Sequence, residues 1–322
     1  MTDLIIIEDF PKNEAEFDER FSTEQACYDY LFKNKWPQGF ICRRCEHTAY
    51  WKSSRGLYIC CNCEHQHSLT AGTILHSSNK PLRCWFKAMW WFTTRKSGIN
   101  ALTLKELLGF GSYSTAWTWL HKLRSCTICT ERKKLSGTVE VDEFYLGGRH
   151  PGKRGRGAEH KSVVVAAAEK KGRKLGRIRL QVANDCSSES IDPFMLKNID
   201  QKSLVITDGW SSYKPVEKKG YNHQRVLQTK AEDKSSVLPG INLIASLFKR
   251  LVIGTFHGRC DQKHLQPYLD EYVFRFNRRT TKYVGKRFMR ICEQAMATAP
   301  KTYHMIVNAV PSSPQFSLEN CG

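Results

Sequence analysis

The chain has 322 residues, of which 41% are hydrophobic, and 50 Lys and Arg residues against 31 Asp and Glu residues give a formal net charge of +19. This length is enough for two or three domains with a sizeable core. The absence of any apolar run of ~18 to 20 residues argues against a membrane span or membrane partner. The acidic N-terminus argues against a secretory signal, so we expect a cytoplasmic protein, associated with the nucleoid if the source is bacterial.

The basic excess points to a polyanionic partner, because each phosphate that a protein neutralises releases condensed counterions. Nucleic acid is the partner class that the charge favours. A generic basic protein and a protein that binds ribosomal RNA are the alternatives on charge alone.

Two C-x2-C cysteine pairs lie near the N-terminus, in the segments FICRRCEH and YICCNCEH, with fourteen residues between them. Each pair suits a tight turn that directs two thiolates to one point, and two such turns make a four-sulfur Zn²⁺ site of the zinc-ribbon kind. The apolar residues before each pair, Phe40 and Ile41 in the first and Tyr58 and Ile59 in the second, predict short strands. The predicted structural zinc ligands are Cys42, Cys45, Cys60 and Cys63. Cys61 has no predicted role, and His47, His65 and His67 are alternative ligands.

Residues 80–124 predict three helices. Aromatic residues recur at helical spacing in the first, Gly109 ends the second, and Ser112 or Ser114 begins the third. The last two helices resemble a helix-turn-helix, with residues 113–124 as the recognition helix. The alternative is a purely helical linker. In both cases Trp85, Trp90 and Trp117 are predicted to be core residues.

From residue 138 onward the pattern changes to runs of β-forming residues. Strands are predicted at residues 138–145, 162–168, about 176–183, and 203–207, with a helix in the segment SSESIDPFMLKNI between the third and the fourth. Three strands, a helix and a further strand match the order of a ribonuclease-H-like core, a mixed sheet flanked by helices. The basic loop at 149–157 suits a DNA backbone or is disordered.

Two carboxylates occupy positions in this predicted sheet that bear on function. Asp142 lies within the first strand and Asp208 ends the fourth, and those strands are neighbours in a sheet of this order. Two adjacent carboxylates repel each other unless a cation lies between them, and hard oxygen ligands suit Mg²⁺ or Mn²⁺. The pattern predicts a metal site for phosphodiester chemistry, although Asp208-Gly209 also fits a simple turn. Strand alternation sends Glu143 to the other face.

A helix is predicted for LPGINLIASLFKR, residues 238–250, and another near residues 272–280. The first has two distinct faces. The predicted apolar face consists of Leu243, Ile244, Leu247, Phe248 and Leu251. The opposite face consists of Asn242, Ala245, Ser246 and Lys249. This second face is either a solvated surface or one wall of a reaction site.

Several of these motifs agree in order and spacing with one family. The paired cysteines with SLTAGTILHSSNKPLRCWF, then GINALTLKELLGFGSYSTAWTWLHKLR, VEVDEFYLGGR, ITDGWSSY and GTFHGRCDQKHLQPYLDEYVFRFNRR resemble the DDE-type insertion-sequence transposases with an N-terminal zinc ribbon, related to the Merlin transposons. The resemblance runs from about residue 20 to 285.

The resemblance implies a ribonuclease-H-like catalytic domain that cuts and joins DNA at transposon ends. The family's metal-binding positions fall on Asp142, Asp208 and Asn242, with Mg²⁺ or Mn²⁺ as catalytic cofactor, and the family's lysine seven residues later falls on Lys249, placed to contact DNA phosphate. Asn242 departs from the acidic triad, because it offers a neutral carbonyl oxygen. A nearby acid that compensates would be Asp261, Asp270 or Glu271.

The sequence therefore predicts a multidomain α/β protein. Its predicted parts are an N-terminal segment with zinc ribbon at 1–78, helix-turn-helix-like DNA-binding helices at 79–130, a ribonuclease-H-like catalytic domain at 131–285 and a C-terminal helical tail at 286–322. The predicted function is transposition, with inverted-repeat ends and target DNA as partners and a homodimer or larger assembly to join two ends. The alternatives are a catalytically weakened DNA-binding protein and a ribonuclease-H-type nuclease without strand transfer.

Overall fold

The structure is a computed structural model and describes residues 9–128, 132–147, 161–227, 237–258, 260 and 262–309. The chain divides into two compact units. The first unit is formed by residues 1–129 and 280–307, and the second by residues 130–279 and 308–322. The finer division into four parts stays a prediction, and the basic loop at 149–157 lies outside the described residues.

The secondary structure follows the predicted order. The helices are α1 (Glu14–Arg20), α2 (Glu24–Lys35), α3 (Leu82–Thr94), α4 (Ala101–Leu108), α5 (Tyr113–Ser125), α6 (Ser188–Asn198), α7 (Pro239–Phe256), α8 (Leu265–Asn277), α9 (Gly285–Ala297) and α10 (Tyr303–Val307). The strands are β1 (Tyr50–Lys52), β2 (Tyr58–Cys60), β3 (Gln66–His67), β4 (Thr138–Leu146), β5 (Ser162–Lys171), β6 (Lys174–Ala183), β7 (Leu204–Thr207) and β8 (Asn222–Arg225). Within these described residues, no helix combines the length and apolarity needed to cross a bilayer.

An aromatic core holds the helices of the first unit together. Phe288 of α9 is fully buried and packs against Phe17, Phe86 and Trp90, with ring centroids 5.4 to 5.7 Å apart. Edge-to-face and offset contacts of this kind add to the gain from apolar burial. Residues 280–307 therefore complete the core of the N-terminal part of the chain.

The helix-turn-helix-like pair has the predicted local signals. Gly109 ends α4 in the left-handed conformation, with φ of 61°, and the Ser112 side chain caps α5 by accepting a hydrogen bond from the Ser114 N–H at 3.1 Å. Trp85 is buried as predicted, but its stacking partner is Trp119, with centroids 3.6 Å apart. The prediction that Trp117 is a core residue was wrong, since it is only half-buried on the next face of α5.

The ribbon is a three-stranded antiparallel sheet in the order β1-β2-β3. The strand expected at Phe40 and Ile41 does not form, because Phe40 instead packs on the rings of Trp36, Tyr50 and His67. The partner strand of β2 comes after the first cysteine pair rather than before it.

The second unit contains a five-stranded mixed sheet in the order β6-β5-β4-β7-β8. Strand β5 is antiparallel to β4 and β6, whereas β4, β7 and β8 are mutually parallel. This is the predicted ribonuclease-H-like arrangement, with one further strand at the edge. It makes β4 the central strand, with β7 directly beside it.

Strand alternation divides β4 between two apolar cores. Val139 and Val141 belong to the core that includes Phe194 of α6 and Tyr213 of a 3-10 helix at Ser211–Lys219. Phe144 belongs to the core on the other face of the sheet, under α7 and α8. Glu140 and Asp142 alternate in step with Phe144, so they belong to the face that α7 covers.

The buried face of α7 differs from the prediction. Leu243 was expected to be apolar core but is 48% exposed, while Ala245, expected on the open face, is buried. Both belong to a helix that packs on a core containing Ala166 and Ala168 of β5. Small residues on α7 and β5 allow the helix and the strand to pack closely at this point, so Ala245 faces the core.

The ion pair between Glu169 and Arg177 gives the second unit a pH-dependent stability. Burial alone would raise the pKa of Glu169, but hydrogen bonds from the Arg177 side chain and from the N–H groups of Arg177 and Ser136 outweigh it and lower the pKa below its ordinary 4.5. A carboxylate with a lowered folded-state pKa stabilises the fold above its ordinary pKa, and this contribution disappears as the pH falls through the folded-state value.

We therefore expect Glu169→Gln to lose about 2 kcal/mol of stability at pH 7, the usual worth of hydrogen bonds to a charged group. The difference from the wild type should narrow once the pH falls below 4.5. Urea denaturation at pH 7 and at lower pH measures both values. A difference in unfolding free energy between Glu169→Gln and the wild type that does not change with pH would contradict the lowered pKa of Glu169.

Candidate metal centre and active site

The four predicted zinc ligands form one cluster. The Sγ atoms of Cys42, Cys45, Cys60 and Cys63 all lie within 4.8 Å of one another. The distance between Sγ atoms is 3.6 Å for Cys42 and Cys63 and 3.5 Å for Cys45 and Cys60. A tetrahedral Zn²⁺ with Zn–S bonds near 2.3 Å requires sulfurs about 3.8 Å apart, so the cluster fits a structural zinc ion. Cys61 is exposed and outside the cluster.

His67 supports the cluster from outside it. It is buried, and its Nε2 lies 3.3 Å from the Sγ of Cys42. Burial lowers the pKa of His67, and the nearby His65, Arg43 and Lys35 lower it further. A neutral imidazole N–H beside a ligand sulfur is a usual partner of a metal–thiolate bond. His67 is therefore placed to orient Cys42 rather than to replace a ligand.

The register of the central strands brings the two candidate catalytic acids together. In the parallel ladder, Val139 pairs with Val205 and Glu140 with Ile206. The ladder ends there, and extending its register by two residues sets Asp142 level with Asp208, the residue after the end of β7. Both side chains are partly exposed. A carboxylate oxygen of Asp208 accepts a hydrogen bond from the Trp210 N–H at 2.9 Å, which fixes the turn after β7.

Tyr213 lies beneath β4 on the other face of the sheet. Its hydroxyl donates to Oε2 of Glu143 at 2.9 Å, and the side chain is fully buried. Burial raises the pKa of Tyr213 well above its ordinary value, and the charges of Glu143, Asp142 and Asp208 raise it further. Glu143 and Tyr213 lie on the face of the sheet opposite to Asp142, so they flank the candidate site rather than belong to it.

Helix α7 lies along the face of the sheet that carries Asp142. Its N-terminus meets β4 at Glu140, whose Oε2 accepts hydrogen bonds from the N–H groups of Gly240 and Ile241 at 2.8 and 3.1 Å. Eight residues later Phe248 packs on Phe144, with ring centroids 6.5 Å apart. The two contacts are four residues apart on β4, from Glu140 to Phe144, and eight residues apart on α7, from Gly240 to Phe248. Both separations correspond to about 12 to 13 Å, so α7 and β4 run side by side in the same direction.

Asn242 and Lys249 are exposed residues on this helix. Asn242 directly follows Ile241, one of the two residues that Glu140 holds. Lys249 reaches back over β4, where its Nζ lies 5.8 Å from the ring centroid of Phe144. Partial desolvation lowers the pKa of Lys249, and the charge of Lys161 lowers it further. The two polar residues thus lie at opposite ends of the helical stretch that passes Asp142.

The acids considered as substitutes for a third carboxylate have other partners. Glu271 is buried and accepts a hydrogen bond from Arg275 at 2.9 Å. Asp270 accepts a hydrogen bond from Gln266 at 3.1 Å. Asp261 lies outside the described residues. Asn242 therefore stays our predicted third ligand.

Two buried residues next to the candidate site, on opposite faces of β4, were missed from the sequence. Glu140 lies two positions before Asp142, so strand alternation already places it on the same face. Tyr213 follows Asp208 by five residues, and no periodicity indicates that it turns back under the sheet to reach Glu143. Both are defined by contacts between elements distant in sequence.

Comparison with known proteins agrees with these observations. Residues 134–277 match the family model described as an ISXO2-like transposase domain, and residues 22–66 match a transposase zinc-ribbon domain. An uncharacterized protein in transposable element ISH50 of Halobacterium salinarum is 27% identical over 217 residues, which cover 61% of this chain and 71% of that protein.

One solved structure is also similar in part. It is a chain in a cryo-EM structure of the simian T-cell lymphotropic virus intasome in complex with PP2A regulatory subunit B56 gamma. The match covers 53% of this chain and 63% of that chain, under two thirds of its length, at 11% identity and a TM-score of 0.27.

Proposed function

Because the chain belongs to the insertion-sequence transposases with an N-terminal zinc ribbon, we propose that it binds the inverted-repeat ends of a transposon and catalyses metal-dependent cleavage and joining of DNA strands. The observation that supports the proposal is the register of the neighbouring parallel strands β4 and β7, which sets Asp142 level with Asp208 at the end of β7 in a ribonuclease-H-like sheet. A protein with net charge +19 has little reason to collect carboxylates at one point unless they hold a cation.

The residues at this point fit hard divalent cations. Asp142, Asp208 and the carbonyl oxygen of Asn242 would hold Mg²⁺ or Mn²⁺, whose preferred ligands are oxygen atoms. Such ions, when bound, activate the attacking oxygen and stabilise the leaving oxygen of a phosphodiester. Asn242 supplies an oxygen without negative charge, so we expect the ion that it contacts to bind more weakly than it would with a glutamate.

The remaining residues act on the DNA. Lys249 is placed to contact a phosphate near the scissile bond, and its position beside Phe144 limits the directions that its ammonium can take. Helices α4 and α5, together with the zinc-held ribbon, bind the transposon ends, with the N-terminal turn of α5 in the major groove. Joining two ends requires at least a homodimer. The reaction takes place in the cytoplasm, at the nucleoid in a bacterium.

The test is a strand-transfer assay with the full chain and a labelled duplex that carries one end of its element. In Mg²⁺ or Mn²⁺ we expect cleavage at the end and then a longer labelled product joined to target DNA. A duplex of the same composition with a shuffled end should give neither product.

The two rival functions give different outcomes in the same assay. Hydrolysed ends that are never joined would show a ribonuclease-H-type nuclease. Specific binding without cleavage in either metal would show a DNA-binding protein that has lost its chemistry, for example because the residue at position 242 is neutral. Either outcome would overturn the proposal.

A further inference from the structure

We propose that Glu140 is a positioning residue of the active site: it holds the first turn of α7, and with it Asn242, at a fixed place relative to Asp142. The inference rests on the proposed function for its catalytic meaning. Its structural part concerns one hydrogen-bonded contact between β4 and α7 and stands on the contacts alone.

Glu140 supplies the cap that α7 lacks. The first N–H groups of a helix have no partners within the helix and carry partial positive charge. The residue before α7, Leu238, has no side chain that accepts a hydrogen bond, and Pro239 at the helix start has no N–H to donate. Glu140 accepts from the N–H groups of the next two residues, Gly240 and Ile241. The helix is therefore capped from the sheet.

The carboxylate of Glu140, which caps α7, is buried and paired. Glu140 is 1% exposed, although glutamate is among the residues least often buried unless it is paired. Its second oxygen lies 3.2 Å from the Nζ of Lys170 on the neighbouring strand β5. Two N–H donors and one ammonium therefore offset the loss of water around the charge.

Gly240 leaves room for the contact between Glu140 and the N-terminus of α7. Its backbone is not in the left-handed region, so conformational freedom does not explain a glycine there. A Cβ at this position would lie 2.6 Å from Oε2 of Glu140 and 2.7 Å from the Leu175 side chain. The absence of a side chain lets the carboxylate reach the helix end. Two residues far apart in sequence thus serve one contact.

The contact between Glu140 and the start of α7 lies close in sequence to two predicted metal ligands, Asp142 on β4 and Asn242 on α7. On β4, Glu140 and Asp142 are two residues apart on the same face. On α7, Asn242 directly follows Ile241. A shift of the helix start would move Asn242 but leave Asp142 and Asp208 in the sheet. Residues that orient ligands in this way typically change metal affinity 10- to 100-fold when they are replaced.

The experiment compares three variants of the full chain by Mn²⁺ binding, measured from the electron paramagnetic resonance signal of free Mn²⁺. Glu140→Ala removes the cap, and Glu140→Gln keeps one acceptor oxygen but not the charge. Glu169→Gln is the matched control, because it neutralises another buried carboxylate of the same sheet that accepts backbone N–H bonds and pairs with a cation.

We expect Glu140→Ala to weaken Mn²⁺ binding about tenfold or more and Glu140→Gln to weaken it less, while Glu169→Gln leaves it unchanged. Amide hydrogen exchange should become faster at Gly240 and Ile241 in the Glu140 variants only. If the alanine variant does not fold, the glutamine variant decides. Wild-type Mn²⁺ affinity and unchanged exchange in a folded Glu140 variant would overturn the inference.

The same data separate this inference from the proposed function. A wild-type chain that neither binds Mn²⁺ nor cuts end-bearing DNA would contradict the proposed function, and the exchange rates would still decide whether Glu140 holds α7. If the wild-type chain is active and the Glu140 variants retain full Mn²⁺ affinity, the role of Glu140 is contradicted and the proposed function is not.

Discussion

Replacing Asp142 by asparagine is expected to slow DNA cleavage and strand joining by about a thousandfold or more. The change keeps the size of the side chain and removes the charge that, with Asp208 just after β7, would hold a divalent cation. Stabilisation of transition-state charge by such a cation is worth several kcal/mol, and each 1.36 kcal/mol is a factor of ten in rate. Single-turnover cleavage of a labelled transposon end measures the effect.

Asp200→Asn is the matched control. Asp200 is an exposed acid of the same unit, whose carboxylate accepts a hydrogen bond from the N–H of Lys202 in the turn before β7. The same chemical change there should leave the cleavage rate within about twofold, since surface substitutions away from a site usually change free energies by less than 0.5 kcal/mol. Activity retained in Asp142→Asn would remove Asp142 from the active site.

Replacing Cys60 by serine is expected to abolish zinc binding and unfold the ribbon. Structural Zn²⁺ contributes about 10 to 16 kcal/mol of binding free energy to small domains of this kind, and three thiolates hold the ion much more weakly than four. The purified variant should contain little zinc by elemental analysis and should bind transposon ends weakly. A chelator should produce the same loss in the wild-type chain.

Cys61→Ser provides the control for this prediction. Cys61 is the neighbour of Cys60, but it is exposed and its sulfur lies outside the four-sulfur cluster. The variant should keep one equivalent of zinc per chain and the wild-type affinity for the ends. A full zinc content in Cys60→Ser, or its loss in Cys61→Ser, would show that the ligands are assigned wrongly.

Much of the fold followed from local pattern. The alternation around Asp142 predicted the central strand, and the cysteine spacing predicted the cluster, because both depend on the geometry of a few consecutive residues. Strand β8 was not predicted, since its sequence NHQR has no apolar alternation and its pairing depends on the neighbouring strand β7. Edge strands of this kind are specified by their partners rather than by their own composition.

Strand order alone predicted that Asp142 and Asp208 come from neighbouring strands, and their role as metal ligands stays a prediction. The residues that support them were not predicted. Glu140 was overlooked because a buried glutamate makes sense only when its partners are known, and those partners are backbone N–H groups a hundred residues away. The face of α7 was misjudged around Leu243 for a similar reason, since packing against small residues of the sheet decides which side turns inward.

In the proposed function, Asp142 and Asp208 together hold the divalent cation at which DNA is cut. The most direct test is a Mn²⁺ titration of the full chain, comparing the wild type with Asp142→Asn and Asp208→Asn. We predict saturable binding in the wild type and a loss of affinity of about tenfold or more in each variant, with Asp200→Asn unchanged. Wild-type affinity in both variants would contradict the claim.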